Sequence, residues 1–145
     1  MPASSFIAKA ETIINTGIDK VWNALVNPEV ITKYMFGAKV QSDWKKGSKI
    51  TWKGEWQGKA YEDKGEILEI IPGRKLQYSH FSPLTGLEDK PENYHVVTID
   101  LTEKDHQTRV SLSQDNNETA EAQKHSEKNW AMMLEGLKKL VEEIN

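Results

Sequence analysis

Tyr78 and His80 stand two residues apart in the run Leu76-Gln77-Tyr78-Ser79-His80-Phe81. In a strand that spacing sends both side chains to one face. A phenol and an imidazole converging on a pocket can orient a polar group or exchange a proton with it. Tyr34, Phe36, Trp52, Tyr94, Trp130 and Met133 are the large side chains able to face them, with Leu134 beside Met133. Taken alone, these residues fit an apolar cavity with a few polar tips or a filled core whose tips bond to backbone or water.

Other chemistry finds little support. His80, His95, His106 and His125 show neither HxH nor HExxH spacing, so no metal site is expected. There is no cysteine and no GxSxG, and Gly54 and Gly58 are isolated rather than part of a phosphate loop. No catalytic residue is assigned and no cofactor is implied. Glu62, Asp63, Glu66 and Glu69 alternate with Lys59 and Lys64 in sign, and read as mixed charge on an exposed strand face.

Composition narrows the partners. The 145 residues suit one domain over 1–145, with 37% hydrophobic and 28% charged residues. A net charge of -3 with no basic block argues against nucleic acid. No apolar run is long enough to enter a bilayer as a helix, so no membrane insertion is expected. The opening residues MPASSFIAKAE lack the basic start and apolar core of a leader, and with the absence of cysteine suggest a cytoplasmic place.

The elements that must position these residues follow from periodicity. Phe6 to Ile14 reads as a strand; Ile18, Val21, Trp22, Leu25 and Val26 stripe a short helix begun by Thr16 or Asp19. Asn27-Pro28 stops it and starts a second short helix, which Gly37 ends. Strands are expected over 38–44, 48–54, 59–71, 76–81, 94–101 and 109–114, with Ile67 and Ile71 sharing one face of the long one. Residues 82–93, rich in turn formers, read as a mobile loop that gates entry. Asp115-Asn116-Asn117-Glu118 reads as a polar break and cap. From about Glu118 to Ile144, Trp130, Met133, Leu134, Leu137, Leu140, Val141 and Ile144 share one face of a long helix. Short turns make the strands antiparallel. The fold class is α+β, with about six to seven strands curved around the final helix and two short helices after the first strand.

Three segments resemble a known family. Val21-Trp22-Asn23-Ala24-Leu25 with Asn27-Pro28-Glu29, Gly65-Glu66-Ile67-Leu68-Glu69-Ile70-Ile71-Pro72 with Arg74-Lys75-Leu76, and Trp130 with Leu134, Leu137 and Leu140 are similar to the START-like (SRPBCC, Bet v-type) superfamily. The branch is the one related to the C-terminal domain of the heat-shock protein 90 ATPase activator (Aha-type). The chain departs at Gly47-Ser48, where the family often has paired glycines, and at Asn129, where a glycine often precedes the helix tryptophan. The resemblance implies a helix-grip fold with a hydrophobic cavity between sheet and final helix. It favours a small apolar or amphipathic ligand, held by the set named above. The alternatives it carries are a chaperone- or stress-associated regulator and a cyclase- or hydrolase-like enzyme using the same cavity.

Overall fold

The computed structural model describes residues 6–35, 37–56, 58–83, 86, 88–117 and 119–143, with Trp56 described in its backbone only. Phe36, Glu118 and Ile144, named above, lie outside the described residues. The elements run β1 (Phe6–Ile14), α1 (Ile18–Val26), α2 (Pro28–Tyr34), β2 (Lys39–Ser42), β3 (Lys49–Trp56), β4 (Lys59–Ile71), β5 (Lys75–His80), β6 (His95–Lys104), β7 (Gln107–Asn117) and α3 (Ala120–Glu143). The strands form one antiparallel sheet of seven, in the order β1-β7-β6-β5-β4-β3-β2.

Local chemistry sets the boundaries. Asn27 Oδ1 accepts from Glu29 N at 3.1 Å, so one residue ends α1 and caps α2. Asp105 and His106 both take positive φ, 53° and 63°, which is the two-residue turn matching strand twist between β6 and β7. Asp115 to Asn117 belong to β7 and not to a break; the cap of α3 is Thr119, whose Oγ1 accepts from Ala122 N at 3.0 Å. The register of β4 shifts between Ile67 and Glu69, and this bulge inverts the expected facing of its second half. Ile67 is fully buried and Ile70 packs on the core, whereas Ile71, expected beside Ile67, is 43% exposed.

The concave face of the curved sheet holds the core against α1, α2 and α3. Met133, Leu134, Leu137 and Val141 are the buried stripe of α3. Its polar flank has a second task. β1 is an edge strand, and α3 runs parallel to it. Gln123 Nε2 donates to Ile7 O (2.9 Å), Glu127 Oε2 accepts from Lys9 N (3.0 Å), Lys138 Nζ donates to Ile13 O (2.9 Å), and Glu142 Oε2 accepts from Asn15 N (2.9 Å). The reach matches: eight strand steps cover about 26 Å and nineteen helical steps about 28 Å. Helix side chains thereby occupy backbone groups that an exposed edge offers to another strand.

This flank predicts a pH dependence. Lys138, then the Asn15 N–H, hold the Glu142 carboxyl below its ordinary 4.5. A carboxyl depressed in the folded state stabilises it above the unfolded value, and that contribution is lost as pH falls through the folded one. Glu142→Gln is therefore expected to lower the melting temperature at pH 7, with the difference from the parent shrinking as pH falls below 4.5 and through the lowered folded-state value. Thermal melts of both proteins across that range check it; a gap that widens in acid would contradict the assignment.

Candidate functional site

The site is built where α2, β3, β5 and α3 meet over the concave face. Leu25, Ile31, Val40, Ile50, Leu76 and Ile99 supply apolar walls, and Tyr34, Trp52, Tyr78 and Met133 stand among them. Met35 and Trp44 complete the rim. What remains between them is a void of about 20 Å³, room for about one water. The side chains therefore nearly fill the space. Two of the rim and wall residues are methionines, which repack at low cost because the chain is unbranched.

Two phenols differ inside this wall. Tyr34 is committed, donating from its hydroxyl to Ala24 O at 2.8 Å. Burial pushes its pKa up, with the nearby Tyr78 adding to the shift. Burial alone pushes Tyr78 up, and its hydroxyl has no hydrogen-bond partner among the described residues. Both stay protonated, so Tyr78 presents an uncommitted donor and acceptor to the void. The Trp52 ring lies 5.1 Å from that of Tyr78 and 5.0 Å, edge-on, from that of His80.

Trp44 holds an unusual backbone. Its φ is 55°, a left-handed value that costs a bulky residue, and its N–H donates to Ser42 Oγ at 3.0 Å. This turn brings the indole back over the void, which a strand through 38–44 would not do.

A polar row crosses the same face beyond the void. His80 Nε2 donates to Asp63 Oδ2 at 2.9 Å. Asp63 thus points inward, in contrast to the exposed charged face expected for it. On β4 it shares parity with Gly65 and Ile67 and pairs with Trp52 across the ladder. The His80 ring stacks on His95 at 6.4 Å. Trp130 Nε1 donates to Gln114 Oε1 at 2.7 Å, which orients the amide so that its Nε2 donates to His95 Nδ1 at 2.9 Å. The neutral His95 ring then carries its proton on Nε2. Asp115 O, 3.0 Å from the same Nδ1, becomes a partner only when that nitrogen is protonated. Asn117 ties the row to β1 and α3, donating to Phe6 O at 3.0 Å and accepting from Ser126 Oγ at 2.9 Å. An open polar recess of about 410 Å³ lies beside His95, Gln114 and Ser126.

The structure thus brings together Tyr34, Trp52, Tyr78 and Met133 at the void, with His80 next to Trp52. Trp130 stands on the polar row, and Leu134 is a core residue at 1% exposure. Tyr94 is on the opposite face. It stacks on Phe81 with centroids 5.1 Å apart, donates to Asp89 Oδ1 at 2.6 Å, and shares an outer recess with Lys64 and Ser79. Lys64 pairs with Asp89 there, so the described part of the loop after β5 is strapped to the outer side rather than drawn over the void. Asp63, Gln114 and Trp44 are the site residues that sequence reasoning passed over. Strand parity with Ile67 and with Leu112 would have turned the first two inward. Among the described residues, no three His, Asp or Glu side chains gather as a metal site would need.

A curved antiparallel sheet, two short helices after the first strand and a long last helix on the concave side define the helix-grip fold of START-like proteins. The chain belongs to the family described as Activator of Hsp90 ATPase homolog 1-like protein, whose model matches residues 15–142. Among solved structures, it is 64% identical to a protein of Cytophaga hutchinsonii known in solution, over 95% of this chain and 94% of that one, with a TM-score of 0.84. The Aha1 dimer of Colwellia psychrerythraea is similar in fold at 20% identity, over 94% and 96% of the two chains, TM-score 0.73. So is DynU16, a protein of the dynemicin biosynthetic locus, at 14% identity, over 97% of this chain and 48% of that one, TM-score 0.78. No curated protein matches the sequence. No helix among the described residues is long and apolar enough to cross a membrane.

Proposed function

We propose that this domain binds a small apolar or amphipathic molecule between the sheet and α3, with Tyr34, Trp52, Tyr78 and Met133 as contact residues. The observation that carries the reading is the hydroxyl of Tyr78, a residue only 5% exposed in the apolar wall of the void, which bonds to nothing described. Buried polar groups are ordinarily satisfied, so an uncommitted one at a void is suited to a ligand's polar atom. The void of about 20 Å³ requires Met35 and Met133 to move aside as the ligand enters. His80 and Trp130 then border the ligand's more polar end. A cytoplasmic location goes with this reading.

NMR titration with indole is the direct test. Shifts at the Met133 methyl, the Trp52 indole and Tyr78 are expected together, and Tyr78→Phe should weaken binding of a hydroxyl-bearing analogue about threefold to tenfold. If neither indole nor other small apolar probes move these signals, the reading is lost.

The family supports a second reading, a chaperone-associated regulator. A pull-down and an ATPase assay with a cognate Hsp90-type chaperone decide it, since absence of both binding and stimulation removes it. A third, cyclase- or hydrolase-like chemistry in the same space, draws on the His80–Asp63 pair, which can exchange a proton through His80 Nδ1.

A further inference from the structure

Besides the Tyr78 hydroxyl at the void, one fully enclosed atom on the concave face is left without a partner. Asp63 Oδ1 is the buried side-chain oxygen or nitrogen that has no hydrogen bond among the described residues. Its sister Oδ2 accepts the hydrogen bond from His80 Nε2 at 2.9 Å. Folded proteins leave few such atoms, and a carboxylate oxygen is an acceptor only, so what completes it must be a donor. Among the described residues none bonds it, neither the Trp52 indole N–H nor the Tyr61 hydroxyl on the same face. Lys64, next in sequence, points to the outer face and pairs with Asp89. Lys53 alternates to that same outer side, opposite Glu62.

The surroundings say which donor suits. Trp52 stands directly across the β3–β4 ladder from Asp63, and Tyr61 lies two residues along the same face. Asp63's charge is close enough to contribute to raising the Tyr61 pKa, after burial. A negative oxygen beside an indole and a phenol is the composition that receives an organic cation, by charge on one side and ring quadrupole on the others. Trp52 also lines the apolar void, so it stands between the void and the Asp63 carboxyl. The Asp63 side chain keeps 15% exposure and that of His80 28%, but Oδ1 itself is enclosed, so a donor reaches it only as neighbouring side chains move aside.

We propose that Asp63 is a head-group subsite for a protonated amine carried on an apolar body. This rests on the ligand-binding reading above and names its ligand class.

The test uses the full chain and two isosteric probes, 2-phenylethylammonium and 2-phenylethanol, titrated by calorimetry and by NMR. The ammonium is expected to bind at least about tenfold tighter than the alcohol, shifting the Trp52 indole and the His80 ring. Asp63→Asn should remove about ten- to a hundredfold of the ammonium's affinity and leave the alcohol within about twofold. Where Asp63→Asn fails to fold, the comparison of probes on the parent protein decides alone. If the alcohol binds at Tyr78 and Met133 but the ammonium is no tighter, or Asp63→Asn leaves it unchanged, Asp63 holds an ordered water only. That overturns the subsite and leaves the cavity standing. If neither probe binds, both proposals fall.

Discussion

Gly65→Ala is expected to destabilise the fold by about 3 kcal/mol or more and to abolish ligand binding with it. The reason is space, because Gly65 carries no positive φ. A Cβ at this position would lie 1.7 Å from Ser79 O, 2.6 Å from Ser79 C and 3.3 Å from His80 N. All three are backbone atoms, so no rotamer change relieves the contact. β4 would have to move off β5, against the paired bonds Lys64 N to Phe81 O (3.0 Å) and Phe81 N to Lys64 O (2.8 Å). Asp63 lies just before this point, and Tyr78 and His80 lie across from it, so the displacement reaches the residues of the site. Gly54 is a milder case, since the nearest atoms its Cβ would meet are the hydroxyl and ring of Tyr61, at 2.6 to 3.0 Å, and a side chain can swing. Gly136 gives the control of opposite sign. Its Cβ would sit at ordinary contact, 3.6 Å from Tyr34 Cβ, inside a helix where alanine is preferred to glycine. Gly136→Ala should stabilise by about 0.5–1 kcal/mol. Urea unfolding followed by tryptophan fluorescence reads both; a Gly65→Ala protein within about 0.5 kcal/mol of the parent would refute the close approach.

The same strand shows what was and was not legible in the sequence. Its length, 59–71, was readable from composition and flanking turns, as was the α3 stripe, because both are local periodic signals. The facing of Ile71 was not, because one bulge between Ile67 and Glu69 reverses parity and no residue type announces it. Asp63 reads as surface charge because its neighbours are charged, yet parity with Ile67 turns it inward towards His80. Tyr94 was placed by residue type, and its actual position depends on the bond to Asp89 and the stack on Phe81, both set by the path of the loop after β5. Trp44 depends on a backbone turn at positive φ that a strand reading excludes. Elements follow from patterns along the chain; a site depends on which face and which turn, where a single residue changes the outcome.

Met133 should behave as the plug of the void. It projects from α3 at 4% exposure against Tyr78 and Trp52, and the void beside it measures about 20 Å³. Met133→Ala removes most of a side chain from a packed wall, so the ligand-free protein should lose about 2–5 kcal/mol of stability. The space opened is apolar except for the Tyr78 hydroxyl, and such cavities stay dry and accept aromatic molecules. Indole should then bind the variant at least about tenfold tighter than it binds the parent, because the parent must first displace Met133. Ligand binding returns stability by mass action, about 2.7 kcal/mol at a hundred times Kd, so the melting temperature of the variant should climb with indole concentration more steeply than that of the parent. Leu137→Ala separates this from a general loosening of the core. Leu137 is fully buried on the same helix but lines no part of the void, so its truncation should cost comparable stability with no gain in indole affinity. Equal gains in both variants would mean that indole fills any hole under α3, and the space at Tyr78 would lose its claim to be a built site.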